Sequence, residues 1–158
     1  MRVRALLGLS VSCLLAACAH QGDGGGVRGM AWSLHHSEGE GAKLAYGQPA
    51  SDNVVLMMSC APRSGRVLVS VTAPAGTAPS TIELKSRRQI SRLQGAVAPG
   101  LGEGAIVEAE ASAQDTTLES FARTGDLAIV EQGRAAKLPA GRSERAAVTD
   151  FFTQCSAA

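Results

Sequence analysis

From Ala31 onward the chain alternates apolar and polar residues in short runs, the period of a strand with one buried face rather than that of a helix. Trp32 and Leu34 alternate with Ser33 and His35, and after the turn-like SEGEGA, Leu44 and Tyr46 alternate with Lys43 and Ala45. These two runs predict a hairpin. Asn53 to Cys60, NVVLMMSC, is apolar on both faces, which predicts a central strand. APRSG then turns the chain. RVLVSVTA places Val67, Val69 and Val71 on one face and Ser70 and Thr72 on the other. Pro74, Gly76 and Pro79 interrupt the pattern. TIELKS and QISRLQG predict another strand pair. Gly100, Gly102 and Gly104 form a loop before the strand GAIVEAEAS, which carries Glu108 and Glu110 on one side.

The last third changes character. Asp115 or Thr116 can cap a short helix through Arg123, with Leu118, Phe121 and Ala122 as its apolar stripe and Gly125 after its end. DLAIVEQGRAAKLPA predicts a second hairpin turning at Gly133. From Ser143 to about Gln154 the period becomes helical, with Ala147, Val148, Phe151, Phe152 and Cys155 on one face. The expected fold is mostly β: an antiparallel sandwich or partly open barrel of seven to nine short strands, closed by a C-terminal helix.

The N-terminus reads differently. Arg2 and Arg4 precede Ala5–Ala17, an almost wholly apolar run of the length of a secretory signal. A membrane-spanning helix needs ~20 apolar residues, so this run is too short to be a lasting anchor. The small pair Ala16-Ala17 then meets Cys18. Leu15-Ala16-Ala17-Cys18 resembles the lipobox of bacterial lipoproteins. The resemblance implies cleavage before Cys18, a diacylglycerol thioether on its sulfur and an acyl chain on the new amino group. Residues 1–17 are then the signal peptide, residues 18–29 a glycine-rich tether, and residues 30–158 a single domain. Two lipid signals suffice for stable anchoring, and this cysteine would carry three chains. Alanine rather than aspartate at position 19 implies, by the same resemblance, the outer membrane facing the periplasm. The tether has a reach of ~17 Å.

Removing 17 of the 158 residues leaves 141, one domain with room for a sizeable core. Without Arg2 and Arg4, thirteen basic residues face fourteen acidic ones, a net charge of −1. That excludes the electrostatic footprint of a nucleic-acid binder. Five aromatic rings, Trp32, Tyr46, Phe121, Phe151 and Phe152, supply few stacking platforms. Cys13 leaves with the signal. Cys60 and Cys155 remain, and in an oxidising compartment an even pair reads as one disulfide. The alternative is two free thiols. LAYGQPASDNVVLMMSC and the late LPA…FF..C further resemble small envelope lipoproteins of bacteria over most of residues 44–155, a likeness that implies no particular activity.

No nucleophile elbow and no zincin motif occur. The glycines of GLGEG lack the full dinucleotide fingerprint. His35 and His36 are adjacent and face opposite ways on a strand, while His20 falls in the tether, so no metal site is expected. Met57, Met58 and Cys60 read as core rather than as soft-metal ligands. Glu38 with Glu40, and Glu108 with Glu110, lie in a turn and on a solvated face. No catalytic residue, cofactor or nucleic-acid partner is therefore expected. Lys85, Arg87, Arg88 and Arg92 form the one charge cluster, a candidate contact for an anionic headgroup or an acidic envelope protein at ~1 kcal/mol per basic residue near an anionic surface. The expected function is a lipid-anchored, non-enzymatic binding or scaffolding module of the cell envelope. The alternative is an inhibitor of a lysozyme or protease, an analogy of architecture alone.

Overall fold

The computed structural model describes residues 26–157 apart from 75, 77–79 and 101–103. The lipobox, Cys18 and His20 lie outside the described residues, as do Pro79 and Gly102. Nine strands and two helices follow one another: β1 (Ala31–Ser37), β2 (Gly41–Gly47), β3 (Val54–Cys60), β4 (Arg66–Pro74), β5 (Thr81–Ser86), β6 (Gln89–Pro99), β7 (Gly104–Ser112), α1 (Thr116–Thr124), β8 (Ala128–Glu131), β9 (Arg134–Lys137) and α2 (Arg145–Cys155). The strands form one antiparallel sheet in the order β1-β2-β3-β4-β7-β6-β5-β8-β9. The sheet curls into a half-barrel, so of the two forms expected the partly open barrel is the one adopted. α1 packs on β5 and β6, α2 packs on β1 and β2, and the helices touch.

The apolar alternation sets the inner face. In β3, Leu56, Met58 and Cys60 are buried, and Val55 and Met57 are half-buried on the other side, as a strand with neighbours on both flanks requires. Val67, Val69 and Val71 of β4 face the same core and stand opposite Ala111, Ala109 and Val107 of β7. Glu108 and Glu110 point outward between them.

β6 is longer than its sequence pattern predicts. Gln89–Gln94 pairs with β5, and Gly95–Pro99 pairs with β7. The change of partner falls at Gly95, where a Cβ would lie 2.9 Å from Val107 Cγ1 and 3.0 Å from the Glu108 carbonyl oxygen. A residue without a side chain lets the strand bend that closely over its neighbour.

All five aromatic rings are buried and form one run. Tyr46 lies 5.3 Å from Trp32, Trp32 4.9 Å from Phe121, Phe121 6.1 Å from Phe152, and Phe152 5.1 Å from Phe151, centroid to centroid. The run crosses from the sheet through α1 to α2, so it joins all three. The Trp32 indole N–H donates to the Leu138 carbonyl at 3.0 Å. That bond satisfies a polar group that burial would otherwise leave costly.

Cys60 and Cys155 are joined in a disulfide at a sequence separation of 95, with 5.6 Å between their Cα atoms. It links the end of β3 to the end of α2. The turn after β3 reinforces the link: Arg63 N–H donates to Gln154 O and Gly65 N–H to Cys155 O, both at 2.8 Å. Those are final-turn carbonyls with no partner inside the helix.

Candidate functional site

The basic cluster lies on the β5–β6 hairpin. Ser86 pairs with Gln89, so Arg87 and Arg88 form the two-residue tip, and Arg87 adopts a φ of 55° there. Lys85 and Arg92 stand on the exposed face of the same two strands. The structure therefore brings all four together. It also divides them. Arg87 pairs with Asp126 at 2.6 Å, and Arg92 pairs with Glu83 at 2.6 Å. Among the described residues, Lys85 and Arg88 carry no ion pair. Both arginines are largely solvent-exposed, though Glu83 is half-buried; exposed pairs of this kind are worth ~0–1 kcal/mol each and open to exchange for another anion.

The hairpin stands on a rigid base. Ser86 Oγ donates to Ser120 Oγ at 2.9 Å beneath α1, and both serines are buried. Ser91 Oγ lies 2.8 Å from both Asp115 carboxylate oxygens and from Thr117 Oγ1. Asp115 is also the α1 cap, accepting from the Thr117 N–H at 2.9 Å and the Leu118 N–H at 3.2 Å. One carboxylate thus fixes a helix start and a strand of the hairpin together.

A second feature escapes sequence reading. An open groove of about 850 Å³ runs between α1 and α2. Ala113, Ala122 and Phe152 line its less exposed part, and Glu119, Arg123 and Asp150 stand exposed along it. None of these three charges carries an ion pair among the described residues. In sequence they read as the solvated faces of two helices, and only the angle between the helices sets them across a groove. The groove presents charges of both signs without a convergent acid–base or nucleophile–base pair.

The remaining candidates disperse. His35 and His36 are both exposed, and His35 Nε2 lies 3.1 Å from Ser33 Oγ. Glu40 pairs with Lys43 at 2.6 Å, and the ammonium holds the Glu40 carboxyl below its ordinary range. Glu108 accepts from Ser70 Oγ at 3.2 Å, and Glu110 pairs with Arg66. Among the described residues, no group of three His, Cys, Asp or Glu is placed to hold a metal ion. Burial pushes the Tyr46 phenol up, against a hydrogen bond with the Val27 backbone that pulls it down, and the Glu144 charge adds to the rise. This phenol sits under the chain at Gly26 and is a packing group.

No family model matches the chain, and no curated protein or solved structure is detectably similar to it.

Proposed function

We propose that this chain is a lipid-anchored envelope protein whose β domain presents the β5–β6 hairpin to an anionic envelope component, as a binding or scaffolding module rather than an enzyme. One observation carries the reading. The basic tip is held by hydroxyl bonds on both of its strands, buried from Ser86 to Ser120 and half-buried from Ser91 to Asp115, while Lys85 and Arg88 have no carboxylate of their own among the described residues. A preorganised cationic tip loses little freedom on binding, and that is how a small site gains affinity. The Cys60–Cys155 bond supports the placement, because such bonds form and persist in oxidising compartments. Cys18 would carry the lipid and the residues after it the tether.

Two measurements test this. Mass spectrometry of the N-terminus should find a triacylated Cys18, and an unmodified N-terminus elsewhere would overturn the anchor. Replacing Lys85 and Arg88 with glutamine should leave the melting temperature in place and reduce crosslinked capture of the partner in intact cells. Unchanged capture would make the hairpin a solvated surface.

A further inference from the structure

The described sheet ends in two unlike edges. β9 is four residues long, begins at Arg134, ends at Lys137 and exposes all four side chains. Shortness and cations are devices that keep an edge from pairing with another chain. β1 is seven residues long, and AWSLHHS contains no Lys, Arg, Pro, Asp or Glu. It pairs with β2 without a register shift from Ala31↔Gly47 to Ser37↔Gly41. The Trp32 N–H points away from β2 and donates to Glu144 Oε1 at 3.3 Å. In an antiparallel ladder alternate residues share that direction, so the N–H and C=O groups of Leu34 and His36 also face off the edge. No described residue meets them. Leu34 is only half-buried, on the core side of the strand.

We propose that the outer edge of β1 is an interface for a second copy of this chain, paired antiparallel about a two-fold axis at His35. In that register Leu34 of each copy exchanges two backbone hydrogen bonds with His36 of the other, and the Glu144 bond to Trp32 is undisturbed. A register centred on Leu34 would oppose His36 to Trp32, whose N–H is already used. Pairing β1 with β9 of another copy would leave a head-to-tail contact with no closure. β1 against β1 closes, sets no cation or carboxylate of either strand against its like, and covers Leu34. A five-residue pairing falls below the ~1,200 Å² of a stable interface, so the dimer forms where copies are crowded. Anchoring on one surface would crowd them, and to that extent the inference rests on the proposed lipid.

Disulfide trapping of the full chain in its native envelope tests it. Residue 35 faces its own copy in a non-hydrogen-bonded pair, at a Cα separation near ~4.5 Å that a disulfide tolerates. His35→Cys should give a dimer on a non-reducing gel. Ala135→Cys on β9 should give little. Ser33→Cys and Ser37→Cys should each give little alone and a dimer when co-expressed, because this register sets 33 against 37. No dimer from His35→Cys beside an oxidised Cys60–Cys155 bond overturns the interface. So do equal dimers from His35→Cys and Ala135→Cys, or an adduct with a different protein. If Cys60 and Cys155 are found reduced, it is the export reading that fails. The purified variants oxidised with diamide then decide the interface by the same criteria.

Discussion

The two helices pack on one sheet and are fastened to it by opposite means. α1 is held by polar detail. Asp115 caps its start, Gly125 ends it in a left-handed turn at φ 70° with its N–H on the Phe121 carbonyl, and Ser120 bonds to Ser86 of β5. α2 has no side-chain cap. Glu144 stands at its cap position but spends its carboxylate on the N–H groups of Trp32 and Gly141. α2 is held by Val148, Phe151 and Phe152, all buried, and by the disulfide from Cys155. Arg145 joins the two systems. From the first turn of α2 it donates to the Thr124 carbonyl and, at 2.7 Å, to the Arg123 carbonyl, where the end of α1 favours a cation. α1 meets the basic hairpin through directional polar bonds, whereas α2 closes the core through apolar contact.

Breaking the adhesion of α2 should cost most. Phe151 is fully buried and ends the run of rings. Phe151→Ala should destabilise the protein by ~3–5 kcal/mol, read by denaturant unfolding. A loss under ~1 kcal/mol would mean that α2 is not held chiefly by its apolar face.

Removing the staple comes next. Cys60→Ala together with Cys155→Ala should cost ~2–4 kcal/mol, since the closed loop is long. The comparison predicts where the loss falls. Native-state hydrogen exchange should show protection lost in α2 before α1. Equal loss in both helices would show that they open as one unit, coupled through Arg145.

Asp115→Ala attacks α1 in its own terms. The cap alone is worth ~0.5–2 kcal/mol. Because the same carboxylate receives Ser91, the hairpin should loosen with the helix. Exchange protection should drop in both β6 and the first turn of α1. A drop confined to α1 would separate the cap from the hairpin base.

How legible each region was follows from the same contrast. The limits of α1, Asp115 and Gly125, stand in the sequence because caps are local chemistry. The α2 face was legible as well, through its period, but its start was not. Ser143 reads as the beginning, whereas the helix begins after Glu144, whose carboxylate is bound to Trp32, over a hundred residues away in the chain. Strands were legible wherever one face is buried, as in Val67, Val69 and Val71. The second half of β6 was missed. Its Ala96, Val97 and Ala98 show no alternation, and Val97 is half exposed. The four basic residues of the candidate site were legible as a cluster, since a hairpin keeps sequence neighbours together. Their division into paired and unpaired was not, because Asp126 reaches Arg87 from beyond α1. The interhelical groove had no local signal at all.

The smallest expected net effect, that of the double serine-to-alanine variant at 86 and 120, is the sharpest test of how α1 is oriented. Ser86 and Ser120 are 1% and 2% exposed, and each hydroxyl is the other's partner. Ser120→Ala removes the acceptor and strands a buried donor on Ser86, at a cost of ~1–3 kcal/mol. Adding Ser86→Ala removes that donor too, and the pair of alanines should recover most of the loss. A double-mutant cycle should therefore give a coupling above ~0.5 kcal/mol, the size expected for residues in contact. If the cost is purely desolvation, the double variant folds with near-native stability and the hairpin keeps its place. If the bond also orients α1, stability returns while exchange at Arg87 and Arg88 stays faster than in the native protein. Additive losses with no recovery would mean that the two hydroxyls find other partners, and that the hairpin base rests on Ser91 and Asp115 alone.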